Sequence, residues 1–213
     1  MKTLLYILLP LLVLAAGAFI LIPTSEAQPE KDLEISKTGH KILIAYFSRK
    51  GSNYVSNNIV DLPVGNTAVV AEMIREKTGA DLFEIKTVNE YPIDYHETTD
   101  VAKAEKNTNA RPEIVGSIPN MEQYDIIILG YPNWWGTVPM AVHTFLEKHQ
   151  IAGKTILPLC THEGSGMGSS ERDLRKALPD CTIKKGLPIK GSRVCGKDPS
   201  VPVEVEKWLK ENL

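Results

Sequence analysis

Cysteine is scarce in this 213-residue chain: Cys160, Cys181 and Cys195 make an odd count with no close pair. Such spacing lacks the close pairs that mark a zinc finger or a Cys-x-x-Cys redox centre and argues against a metal site. An excess of one charge is missing too, because 24 Lys and Arg face 26 Asp and Glu, a formal charge of −2. The basic residues are scattered, so the electrostatic footprint of a nucleic-acid binder is absent. No Gly-x-Ser-x-Gly elbow occurs, and the five histidines lack partners at catalytic spacing. His40, His96, His143 and His149 read as surface residues. With no repeats or low-complexity runs, the chain is one ordinary globular domain, large enough to bury a substantial core. Cys160, at the end of an apolar strand, reads as a small buried hydrophobe. Pairing of Cys181 with Cys195 is left open, since sequence does not show whether their backbones approach.

Residues 1–27 are a different material: Lys2, an almost wholly apolar run from Leu4 to Ile22, then a polar stretch. This is an export or anchoring segment rather than fold. Ser25 and Ala27 offer the small residues of a cleavage site before Gln28, while the run's length approaches the ~20 residues that span a bilayer. Both a cleaved signal peptide and a retained membrane anchor stay open. Either places the protein outside the cytoplasm, with 28–40 as linker and 41–213 as the domain.

From Lys41 onward short apolar runs alternate with helical patterns, the signature of a parallel sheet covered on both faces. Strands are expected at 41–47, 81–87, 125–130, 154–160 and 182–189. Ile126, Ile127, Ile128 and Leu129 are apolar at consecutive positions, which suits a central strand buried on both sides. Val69, Val70, Met73 and Ile74 form one helical stripe, Val138, Val142, Phe145 and Leu146 a second, and Val201, Val205, Trp208 and Leu209 a third. A weaker helix is expected over 96–109, with Val101, Ala102 and Ala104 as its inner face.

Ligands of such sheets bind outside the carboxyl ends of the strands, so three loops carry the argument. Gly65-Asn66-Thr67 stands at the start of a helix, where backbone N–H groups favour a phosphate, and Ser48 ends the first strand nearby. An ordinary helix cap by Asn66 or Thr67 is the plainer reading of those residues. In Pro132-Asn133-Trp134-Trp135-Gly136, two adjacent tryptophans cannot easily both enter a core and suit stacking on a flat conjugated ligand. The plainer reading lays one Trp on the adjoining helix and exposes the other. Thr161-His162-Glu163-Gly164, followed by Gly166 and Gly168, lets backbone approach a ligand closely, or serves as a flexible connector.

Together these segments resemble the flavodoxin family, in its bacterial flavodoxin-like branch, over about residues 41–213. The resemblance rests on Ala45-Tyr46-Phe47-Ser48-Arg49, Val64-Gly65-Asn66-Thr67, Tyr91-Pro92, Ala110-Arg111-Pro112, the stretch from Leu129 through Thr137 to Phe145-Leu146, and Cys160-Thr161 through Gly168-Ser169-Ser170. It implies a three-layer doubly wound α/β sandwich, with a five-stranded parallel sheet in the order 2-1-3-4-5. It also implies FMN, its phosphate at Ser48, Gly65, Asn66 and Thr67, and its isoalloxazine between the tryptophan loop and residues 161–164. Two departures stand out. Residues 49–64 read as an insertion that folds outward as a hairpin, with Arg49 and Lys50 free to neutralise the phosphate. Glu163 stands where the resemblance leads one to expect glycine, either near the ring, where it lowers the flavin's potential, or turned to water.

A phosphoryl-accepting receiver shares this architecture but needs acidic residues where this chain has Ser48-Arg49 and Gly130-Tyr131. Two redox classes remain: an electron carrier that docks with protein partners, and an FMN-dependent NAD(P)H:quinone-type oxidoreductase acting on a small molecule. A non-redox binding protein on the same scaffold is a third. In each redox class the flavin does the chemistry, so no catalytic side chain is expected, although His162 lies where it would reach a flavin edge.

Overall fold

The computed structural model describes residues 39–213. The expectation for residues 1–27 lies outside them; among the described residues no helix is long and apolar enough to cross a membrane.

The chain runs β1 (Ile42–Tyr46), β2 (Gly51–Val55), β3 (Asn58–Leu62), α1 (Asn66–Thr78), β4 (Asp81–Glu84), α2 (Tyr95–Thr108), β5 (Ile126–Pro132), α3 (Met140–Lys148), β6 (Thr155–His162), α4 (Ser170–Ala177), β7 (Thr182–Ile183), β8 (Leu187–Lys190), α5 (Gly191–Cys195) and α6 (Ser200–Asn212). The main sheet is parallel in the order β4-β1-β5-β6-β7, with β8 also on β6, so the expected 2-1-3-4-5 winding holds.

Alternation along β1 splits the core into two layers. Ile42, Ile44 and Tyr46 face a cluster with Val70, Ile74, Val205 and Leu209 of α1 and α6. Leu43, Ala45 and Phe47 face a second cluster with Val142, Phe145 and Leu174 of α3 and α4. The apolar stripes read from the sequence are therefore the inner faces of α1, α3 and α6.

Four expectations are corrected. The fifth strand is not continuous: β7 and β8 flank an interruption at 184–186. The offset between paired residues on β6 grows by one across it, so a single extra residue is bulged out. Gly186 sits tightly there: a Cβ would stand 3.0 Å from the Pro158 carbonyl, and the flexible end of Met167 lies closer still. The inner face of α2 is Thr98 and Ala102, whereas Val101 and Ala104 are exposed. His149 is buried, its Nε2 accepting the Ile118 N–H at 3.0 Å and its Nδ1 paired with the Phe145 carbonyl at 2.8 Å. His143 is half-buried, and burial lowers its pKa. Residues 51–62 do form a hairpin, β2 against β3 across a turn with Ser56 and Asn57 at positive φ. It does not fold outward; it lies over the carboxyl end of the sheet.

Candidate functional site

A cleft of about 430 Å³ opens at the carboxyl ends of β1, β5 and β6, where the strand order reverses. Ser48, Asn66, Thr67, Trp134, Trp135 and Glu163 are among the residues lining it, so all three sequence loops converge there.

One end is built on the first turn of α1. Gly65 is the residue before the helix and supplies no side-chain cap. The cap comes from outside, because the Ala68 N–H donates to Ser48 Oγ at 3.1 Å, while the Val69 N–H donates to the Gly65 carbonyl. Asn66 and Thr67 therefore sit inside the first turn instead of capping it, and their N–H groups are the helix's outward donors. Thr67 Oγ1 is buried 2.7 Å from Thr161 Oγ1, which ties the nest to the end of β6. Asn66 Oδ1 is buried with no donor among the described residues. Gly191 leaves room for that amide, since a Cβ there would stand 2.6 Å from Asn66 Nδ2.

The other end is aromatic. Trp134 packs edge-on against Phe47 at 5.1 Å and Tyr91 at 5.0 Å between ring centroids, and lines the cleft. Trp135 has a left-handed backbone (φ 51°) and is 45% exposed. Its Nε1–H donates to the Thr99 carbonyl of α2 at 2.9 Å, Lys103 Nζ stands 5.0 Å from its ring, and Lys106 Nζ donates to its carbonyl. One tryptophan thus braces the aromatic cluster and the other lies along α2, so they do not form a matched pair.

The glycine-rich loop is stapled to the tryptophan loop and is not a free connector. Asn133 Nδ2 donates to the Gly166 carbonyl at 3.0 Å, Asn133 Oδ1 accepts the Gly136 N–H at 3.0 Å, and the Ser169 N–H donates to the Gly136 carbonyl at 2.7 Å. Pro132 ends β5 at the cleft, and the Asn133 N–H donates to the Thr161 carbonyl. The Gly164 N–H donates to His162 Nδ1 at 2.9 Å, leaving Nε2 as that ring's other polar atom. Burial, reinforced by Lys190 and opposed by Glu163, lowers the His162 pKa and favours the neutral imidazole.

Arg49 does not point at the nest with free donors. Its guanidinium donates to the carbonyls of Ser52 at 2.5 Å, Pro92 at 2.6 Å and Asp94 at 3.1 Å, and to Ile93. It ties the root of the hairpin to the turn before α2. The sequence reading missed Asn53, Tyr54, Tyr95, Thr98 and Thr99, all lining the cleft, with Tyr54 stacked on Tyr95 at 6.0 Å. The turn residues Ser56-Asn57 signal a hairpin, but no local pattern places it or α2 over the cleft.

Beneath Trp134, Tyr91 Oη donates to Glu105 Oε2 at 2.7 Å. Burial raises the Glu105 pKa, and the Tyr91 hydroxyl partly offsets it. A carboxyl whose folded pKa is raised binds more protons folded than unfolded, so it favours folding at acid pH and destabilises as pH rises through the carboxylate range. Tyr91→Phe removes the offset. It is expected to lower stability by about 1–2 kcal/mol, with a larger deficit at pH 7 than at pH 4, read from urea midpoints at the two pH values.

Side-chain nucleophiles and metal ligands are not assembled here. Cys160 is fully buried and its thiol is pushed up to about 12 by burial. All three cysteines are free, including Cys181 and Cys195, and among the described residues no group of His, Cys, Asp and Glu is placed to hold a metal. The residues fit a mononucleotide with a conjugated ring: outward N–H donors for a phosphate, an orphan buried acceptor for a sugar hydroxyl, and an aromatic wall.

Two Bacteroides structures are similar. A candidate flavoprotein of Bacteroides eggerthii is 30% identical, with 76% of this chain and 98% of its own covered at a TM-score of 0.59. Another from Bacteroides uniformis is 26% identical, with 81% and 99% covered at a TM-score of 0.62. A flavoprotein of Lactobacillus acidophilus, solved in complex with FMN, shares the fold at 21% identity and a TM-score of 0.56, over 74% of this chain and 97% of its own. No curated protein matches in sequence. A family model for flavodoxin matches residues 41–210, and the chain belongs to the flavodoxin family.

Proposed function

We propose that this protein is an exported electron carrier that holds one FMN in the cleft between α1, the tryptophan loop and the 161–164 loop. The observation that carries the reading is the nest at α1, where outward N–H groups and the orphan Asn66 Oδ1 ask for the phosphate and hydroxyls of one ligand beside Trp134. Bound FMN supplies reversible electron uptake through its ring. The chain's own residues bind and orient it: Asn66 and Thr67 hold the phosphate end, Trp134 walls the ring, and neutral His162 places a polar edge at the cleft. Export rests on the apolar run from Leu4 to Ile22, and the electron partner is a protein or a small molecule reached outside the cytoplasm.

Titration of flavin fluorescence against the purified protein is expected to show saturable quenching at one FMN per chain. Quenching that never saturates would remove the cofactor assignment. With FMN bound, NADH or NADPH alone is expected to leave the flavin oxidised, because the sequence carries no second nucleotide nest. Prompt bleaching with turnover on a quinone would instead make the protein an FMN-dependent oxidoreductase.

A further inference from the structure

The two departures from the flavodoxin pattern, the inserted hairpin and Glu163, are 107 residues apart and meet in space. Glu163 Oε2 accepts the N–H of Ser56, in the hairpin turn, at 3.4 Å, and Oε1 accepts the N–H of Ser192 in α5. The carboxylate stands at the nest end of the cleft: a Cβ on Gly191 would be 3.0 Å from Glu163 Oε1 and 2.6 Å from Asn66 Nδ2. The hairpin is held at its root by Arg49 on the 92–94 carbonyls and at mid-length by Tyr54 on Tyr95, both on the α2 side. Glu163 makes the contact from the opposite wall, at the tip. Because 3.4 Å is long for a hydrogen bond, this tip contact is the one expected to open first.

We propose that Glu163 is a positioning residue that holds the hairpin across the phosphate end of the cleft, so that the hairpin sets how fast the bound mononucleotide leaves. The proposal rests on the FMN reading above. A carboxylate is acceptor-only and takes both N–H donors at once, whereas Gln offers one acceptor oxygen and an amide that faces the second donor unfavourably. Release of FMN is therefore expected to quicken by about tenfold in Glu163→Ala, with Glu163→Gln in between.

The test measures FMN release by rapid dilution into excess competing flavin-binding protein. It compares the full chain and a chain whose residues 51–62 are replaced by a short Gly-Ser link, each with and without Glu163→Ala. Acceleration in the full chain that vanishes in the shortened one supports the proposal. Equal acceleration in both overturns it, because Glu163 would then act through Ser192 and α5, and slower release on removing the carboxylate overturns it, because Glu163 would then repel the phosphate directly. Amide hydrogen exchange across 51–62 without flavin is the second measurement. Faster exchange at the Ser56 turn in Glu163→Ala supports the latch, and unchanged exchange overturns it even if the shortened chain does not fold. Wild-type protein that binds no FMN would remove the cofactor reading while leaving the exchange comparison decisive for the latch.

Discussion

Gly65→Ala is expected to lower FMN affinity at least about a hundredfold, a loss of ~2.7 kcal/mol. The reason is steric and not conformational, because Gly65 has φ −68° and ψ 146°, open to any residue. A Cβ there would lie 2.8 Å from the Arg49 carbonyl carbon and nearer still to its oxygen and to Ser48 Oγ. Ser48 can turn its hydroxyl aside. The Arg49 carbonyl cannot, since it belongs to a segment held by Arg49's own bonds to the 92–94 carbonyls. The loop must withdraw from α1, break the Ser48 cap on Ala68, and spread the donors of Asn66 and Thr67. Overpacking of this kind costs about 1–3 kcal/mol of stability. Gly79→Ala is the control: φ is 66° and no atom lies within 4 Å, so it costs about 1 kcal/mol of stability and leaves affinity unchanged. Fluorescence titration of the two variants decides it, and wild-type affinity in Gly65→Ala would put the phosphate elsewhere.

The fold was legible where burial alone dictates sequence. Ile126 to Leu129 is apolar at every position because β5 is covered on both faces, and the α1, α3 and α6 stripes follow from packing on that sheet. It was illegible where a distant neighbour decides. The break between β7 and β8 depends on Gly186 meeting Pro158 and Met167, which no local pattern records. Ala104 and Val101 look like an inner face, yet Thr98 is buried because its hydroxyl bonds the Pro92 and Asp94 carbonyls and so satisfies itself locally. His149 likewise enters the core because both ring nitrogens find backbone partners there.

In the site, residue type located the loops that line the cleft and missed their partners. Asn66, Thr67, Trp134 and Trp135 were legible as cleft-lining residues because a helix start and two adjacent tryptophans both fall at carboxyl ends of strands. Arg49 lines the cleft, and a guanidinium beside a phosphate nest looks like a counter-charge, but four carbonyls take up its donors. Tyr54 and Tyr95 went unseen because the wall they form exists only after the hairpin closes on α2. Glu163 was placed in the right loop, and its direction is set by the Ser56 and Ser192 amides, groups that every residue possesses.

Trp134→Ala should separate the two tryptophans. Trp134 packs edge-on against Phe47 and Tyr91 at interplanar angles of 83° and 86°, so truncation opens a void beside both rings and removes the cleft's aromatic wall. The expected loss is about 2–4 kcal/mol of stability, with FMN affinity down about a hundredfold. Trp135→Ala gives up one hydrogen bond to Thr99 and a cation contact with Lys103 on a side chain already 45% exposed. That is about 1 kcal/mol of stability, and at most about tenfold in affinity. Trp134→Phe keeps an aromatic edge against Phe47 and should recover most of the stability but less of the affinity, because a smaller ring covers less of a conjugated ligand. His143→Ala, at a residue that does not line the cleft, should leave affinity unchanged. Urea denaturation and flavin titration on the four variants give both readouts. Equal affinity losses at Trp134 and Trp135 would mean that the flavin contacts both rings alike, and an unchanged affinity in Trp134→Ala would make that tryptophan purely a strut for Phe47 and Tyr91.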